Sequence, residues 1–113
     1  MEINVLRRGN IHLIQLRGPL RLGLAVDSFR DAVDNAMASN NPWLVVNLAE
    51  VPMIDSSGVG VLVKAMASAK QRGGAVKLVN PSKFAVQILR LVGVLDLFEV
   101  FEEDDAAVAS FGQ

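Results

Sequence analysis

The chain has 113 residues, 51% hydrophobic and 20% charged, enough for one domain with its own core and too apolar for a disordered segment. Its 11 Lys and Arg stand against 12 Asp and Glu, so the net charge of -1 lacks the broad attraction of a nucleic-acid or anionic-membrane binder. The absence of cysteine excludes disulfides and thiol chemistry, and a single histidine excludes a multi-histidine metal site within one chain.

The first elements read as a hairpin. Ile3 to Arg8 and Ile11 to Leu16 are apolar-rich runs on either side of Gly9-Asn10, a two-residue turn signal. Gly18, Pro19 and Gly23 punctuate the exit. From Leu22 the period changes: Leu22, Ala25, Val26, Phe29, Ala32, Val33, Ala36 and Met37 recur at steps of three and four, with Asp27, Arg30, Asp31 and Asp34 between them. That pattern predicts an amphipathic helix, stopped by Ser39-Asn40-Asn41-Pro42.

Trp43 to Leu48 is short, apolar and β-branched, as a strand covered on both faces should be. A second helix is expected from Ser56 to Arg72, stopped by Gly73-Gly74, and Ala75 to Val79 follows as a strand. Asn80-Pro81-Ser82 opens a third helix that closes at Gly93, a residue suited to the left-handed cap position. Leu97 to Phe101 reads as the last strand, and Ala106 to Phe111 as a short final helix behind the acidic run Glu102 to Asp105. Strands separated by helices imply right-handed crossovers. The predicted fold is a single α/β domain with a mostly parallel sheet of four to five strands, an N-terminal hairpin and about four helices. No apolar run approaches the roughly 18 residues of a membrane helix, and Met1-Glu2-Ile3-Asn4 lacks the layout of a signal peptide. The expected setting is the cytoplasm.

The chemistry concentrates in Met53-Ile54-Asp55-Ser56-Ser57-Gly58-Val59-Gly60, which joins a buried strand to a helix. In open parallel sheets ligands and modifications gather at that end. Asp55 or Ser56 can cap the helix, and a plain helix start is one reading of the motif. Two hydroxyls beside a carboxylate exceed what one cap requires, however. Gly58 and Gly60 each cost about 1 kcal/mol against alanine inside a helix, which suggests backbone access or close approach. A phosphorylated hydroxyl there would face the orphan N–H groups and the positive end of the helix dipole. Val59, Leu62, Met66 and Ala69 form the expected buried stripe. Val61 falls on the other side with Lys64 and Ser68, as an isolated surface valine or a partner contact.

Enzymatic readings find little support. Neither serine sits in a Gly-x-Ser-x-Gly elbow, the sole candidate imidazole base is His12 on an early strand, and no Walker-type loop occurs. Asp104-Asp105 belongs to a solvated acidic run. In the third helix Phe84, Val86, Ile88, Leu89, Leu91 and Val92 are too many for one stripe, so that helix is either sandwiched or exposes an apolar face.

These residues together carry a resemblance. The strand Leu44-Val45-Val46-Asn47-Leu48 leads into Met53 to Leu62, Gly73-Gly74 precedes a strand, Ile88 to Val94 precedes Phe98, and Ala106-Ala107 sits in the tail. The chain resembles the STAS domain, in particular the stand-alone anti-sigma factor antagonists of bacteria, over essentially its whole length. The resemblance implies a regulatory switch. The first serine of the motif, Ser56, would be phosphorylated by a partner that is both anti-sigma factor and serine kinase. The unphosphorylated form would bind that partner, and a PP2C-type phosphatase would reset the cycle. The expected partner-binding residues are Asp55, Ser57, Gly58 and Gly60 in the motif, Val61 and Lys64 beyond it, and Arg21. Arg21 stands in Gly18-Pro19-Leu20-Arg21, where antagonists of this type often carry an aspartate; it could steady a phosphate on Ser56. No catalytic residue, cofactor, metal or direct nucleic-acid contact is expected. The alternative is a STAS subunit that scaffolds a larger assembly, such as a stressosome or a lipid-transport ATPase, with Ser56 unmodified.

Overall fold

The computed structural model describes residues 1–38 and 42–112. Gly9 takes φ 64° in the expected two-residue turn and closes strand β1 (Glu2–Arg8) onto β2 (Ile11–Arg17), with Arg8 opposite Ile11. Helix α1 (Leu24–Met37), strand β3 (Trp43–Glu50), helix α2 (Ser56–Gln71), strand β4 (Ala75–Val79), helix α3 (Lys83–Leu91), strand β5 (Val100–Phe101) and helix α4 (Asp104–Ala109) follow. The strands lie in the order β1-β2-β3-β4-β5, antiparallel at the hairpin and parallel thereafter.

Side-chain alternation divides the sheet's two faces. Ile14, Leu16, Leu44, Val46, Leu48, Val76 and Leu78 pack against the main core built with α1, α2 and α3. Their neighbours Ile11, Leu13, Val45 and Val79 meet Ala107 of α4 on the other face. Leu44, Val45, Val46 and Leu48 are thus fully enclosed, which explains the unbroken apolar run of β3.

Several boundaries move. Leu22, expected on the buried stripe of the first helix, is 77% exposed; α1 starts two residues later because Gly23 adopts φ 119°, which no helical turn accommodates. The expected stop at Ser39-Asn40-Asn41 lies outside the described residues. The last strand shrinks to two residues. After Gly93 (φ 80°, the expected left-handed stop of α3), the bonds Leu97 N–H to Val94 O (3.0 Å) and Phe98 N–H to Leu95 O (3.1 Å) close a 3₁₀ turn that drives Phe98 into the core. Helix α4 begins at Asp104 rather than Ala106, with extended Glu103 as its N-cap. In α3 only Ala85 and Leu89 are buried, while Phe84, Leu91 and Val92 stand exposed, so this helix presents an apolar face outward.

Candidate functional site

Beyond the C-terminal ends of β2 and β3 two loops meet. Leu20 N–H donates to Met53 O (2.9 Å) and Asp55 N–H donates to Leu20 O (3.1 Å), an isolated parallel bridge between Leu20 and Ile54. This bridge sets the loop after β2 against the turn that starts α2.

Asp55 is the N-cap of α2, extended at φ -100°, ψ -179°. Its Oδ1 accepts from Ser57 N–H (3.0 Å), Gly58 N–H (3.1 Å) and the Ser57 hydroxyl (2.5 Å), and its Oδ2 accepts from Leu22 N–H (2.8 Å). The Ser57 hydroxyl above all, then the Leu22 amide, holds the Asp55 carboxyl down to about 2 against the desolvation that would raise it. A single carboxylate therefore satisfies orphan donors of the helix and fastens the neighbouring loop.

The two serines are not equivalent. Ser57 is half-buried and its hydroxyl is committed to Asp55. Ser56 is exposed at the first helical position, and no hydrogen bond ties its hydroxyl to another described residue. Gly58 answers a close approach: a Cβ there would lie 2.9 Å from both Ile54 Cγ1 and Leu20 Cγ. Gly60 answers no such demand, since nothing lies within 4 Å of a Cβ built on it. It leaves an open strip of α2 backbone one turn beyond Ser56.

Val61 is not on an open surface. It is 7% exposed because α1 crosses that side of α2, and it lines a groove of about 320 Å³ between the two helices together with Val33, Met37 and Ser57. Lys64 and Arg30 stand on the groove's rim, Arg30 paired with Asp27 at 3.1 Å. Arg21 is exposed on the loop fastened to Asp55, its Nε donating to Met53 Sδ (3.0 Å). The structure thus brings Arg21, Asp55, Ser56, Ser57 and Gly58 to one corner, with Gly60, Val61 and Lys64 running along the adjoining helix.

Sequence periodicity misses Leu22 and Leu24. Leu22, on this same loop, and Leu24, the first residue of α1, flank Gly23 at 77% and 85% exposure, held in place through the Leu22 amide. Leu22 fits the amphipathic stripe and Leu24 does not; the glycine between them was the one signal that the helix starts later. His12 lies at the other end of the sheet. It pairs across to Leu44 near the start of β3, whereas Ser56 follows the end of that strand, so the two cannot form a Ser–His pair. Burial, and next the charge of Arg7, lowers the His12 pKa.

Among curated proteins, the chain is 28% identical to the anti-sigma-B factor antagonist of Bacillus subtilis (strain 168) over 72 residues, 64% of this chain and 66% of that protein. Among solved structures it is similar to an anti-sigma factor antagonist from Mycobacterium paratuberculosis, with TM-score 0.86 at 17% identity, covering 99% of this chain and 94% of that one. It is also similar in fold to Bacillus SpoIIAA. The unphosphorylated form matches with TM-score 0.84 at 22% identity over 99% of this chain and 98% of that one. The phosphorylated form matches with TM-score 0.78 at 20% identity over 97% and 99%. The STAS domain model matches residues 2–107, from the first strand into α4 and through the Asp55–Gly60 motif. With sheet order, helix placement and family model in agreement, this chain belongs to the STAS domain family.

Proposed function

We propose that this protein is an anti-sigma factor antagonist of the cytoplasm, a non-enzymatic regulator whose binding is switched by phosphorylation of Ser56. The observation that carries the reading is the difference between the serines: Ser57 is locked to Asp55, and Ser56 is exposed and unengaged at the start of α2. The name of the Bacillus subtilis relative and the existence of SpoIIAA in two phosphorylation states support it. The partner is an anti-sigma factor that is also the serine kinase, and a PP2C-type phosphatase restores the binding form.

The partner's apolar surface covers Leu22 and Leu24 beside Ser56, the open backbone at Gly60 and the rim at Lys64. A phosphate on Ser56 adds about -1.5 to -2 charges at neutral pH. Enclosed without a matching cation it costs several kcal/mol, and each 1.4 kcal/mol is about a tenfold loss of affinity. Arg21, on the fastened loop, steadies the phosphate in the free protein.

The test is phosphopeptide mapping and titration calorimetry with the anti-sigma factor/kinase of the source organism. Wild type should gain one phosphate, at Ser56, and Ser56→Ala none. Unmodified protein and Ser56→Ala should bind, while the phosphorylated form should lose at least about 100-fold. Arg21→Ala should alter the rate at which phosphatase removes the phosphate. Modification at Ser57 instead, or equal binding by both forms, would overturn the switch. Stable assembly into a larger complex with Ser56 unmodified would establish the scaffold alternative.

A further inference from the structure

Strand β1 leaves one edge of the sheet open. All seven of its residues pair with β2 in unbroken register, from Glu2 opposite Arg17 to Arg8 opposite Ile11, and it contains neither a bulge nor a proline. The far edge, β5, has two residues. A long straight edge lacking those protections is a template for another strand. Because Arg8 and Ile11 flank a two-residue turn, they form its closing hydrogen-bonded pair. The alternation of an antiparallel ladder then directs the N–H and C=O groups of Ile3, Val5 and Arg7 outward. Val5 and Leu6, 47% and 43% exposed, stand on opposite faces of this edge.

We propose that β1 pairs antiparallel with β1 of a second copy of the chain, about a twofold axis at Val5. The charge pattern of the strand selects both occupant and direction. In this register Glu2 faces Arg8 of the second copy, Ile3 faces Arg7, Asn4 faces Leu6 and Val5 faces Val5. Each acidic end thus meets a basic end. A parallel arrangement would set Arg7 and Arg8 against their own equivalents, and like charges directly opposed destabilise a strand pair. The outward groups of Ile3, Val5 and Arg7 supply about six main-chain hydrogen bonds and join two five-stranded sheets into one. Residues 2, 4, 6 and 8 share the α4 face, so the Glu2–Arg8 contacts form beside the existing Arg8–Asp105 pair at 2.7 Å. The contact is isologous, and it closes at two copies.

One strand pair buries less than the roughly 1,600 Å² of a standard interface, so the dimer is an equilibrium that concentration shifts. Sedimentation velocity on the full chain from about 10 µM to about 1 mM should show the mass rise from 12.1 kDa toward twice that value. Val5→Pro removes an outward N–H that the β1–β2 ladder does not use, and should hold the protein at single-chain mass. Glu2→Arg and Arg8→Glu should each weaken association about tenfold, and the two together should restore it. The single changes also break Glu2–Arg17 and Arg8–Asp105 within the chain, which the double change does not rebuild, so restored mass speaks for the contact between copies. Circular dichroism confirms that each variant is folded. If Val5→Pro is not, the charge pair decides. Single-chain mass at every concentration would overturn the proposal, as would a dimer indifferent to both kinds of variant.

Discussion

Asp55 shows how one side chain can cap a helix and fasten a neighbouring loop together. Its carboxylate accepts four hydrogen bonds, three from the first turn of α2 and one from Leu22. Asp55→Ala should cost about 0.5–2 kcal/mol, the usual worth of an N-cap, and should release the loop at Leu22. Its pH signature has a definite sign. The folded carboxyl sits near 2 and an unfolded aspartate near about 3.9, so the stabilisation is fully present above pH ~4 and is lost as pH falls through about 2. Urea midpoints of wild type and Asp55→Ala should therefore differ at pH 5 and converge toward pH 2. The two glycines of the motif part ways under the same substitution. Gly58→Ala drives a methyl into Ile54 and Leu20 and should destabilise by about 1–3 kcal/mol in thermal unfolding. Gly60→Ala meets nothing and should raise stability by up to about 1 kcal/mol, while weakening the proposed partner binding.

At the scale of elements, the joints carry the constraints. Helix α2 ends at Gly73, which takes φ 80°, and Gly74 then passes so close to the start of β3 that a Cβ would lie 2.2 Å from Pro42 O. The bonds Gly74 N–H to Ala69 O (2.7 Å) and Ala75 N–H to Pro42 O (3.3 Å) hold this crossing. Gly74→Ala should therefore cost more than Gly73→Ala. The first forces two backbones apart, and the second adds only the roughly 1 kcal/mol strain of a left-handed residue. Chemical denaturation of the pair of variants measures the difference. Ser82 accepts from Ala85 N–H (3.1 Å) at the start of α3, as a good cap should, but the helix buries only two side chains. Its apolar residues were too numerous for one stripe for that reason: most of them do not reach the core.

Across the whole molecule, the weaker joint is the face covered by α4 alone. Its core holds Ile11, Leu13, Val45, Val79 and Ala107, and its closure depends on Lys77, 6% exposed in the middle of the sheet. Lys77 Nζ donates to Ser110 Oγ (2.8 Å), lies 3.5 Å from Glu99 Oε1 and 4.2 Å from the centre of the Phe111 ring, which stacks on Trp43. Lys77→Ala should cost about 1–3 kcal/mol and leave Ser110 and Phe111 without their anchor. Hydrogen exchange should then show α4 amides losing protection about tenfold or more while β3 keeps its own.

The alternation of strands and helices, the hairpin at Gly9-Asn10, the enclosed strand β3 and the capped start of α2 were all legible in the sequence. Each is written in local periodicity, turn chemistry or cap preference, which act between residues a few positions apart. The motif's position in the chain was legible for the same reason. What only the tertiary structure decided depends on contacts between distant segments. Periodicity could not tell that Leu22 faces outward, because a stripe on paper does not say where the helix begins against its neighbour. It could not bury Val61, since the helix that covers it, α1, lies some thirty residues earlier. The unequal settings of Ser56 and Ser57 were not written in cap preference either, although the contact that separates them is a local one. Adjacent and chemically identical, they differ only because the backbone turns one hydroxyl onto Asp55 and the other toward solvent.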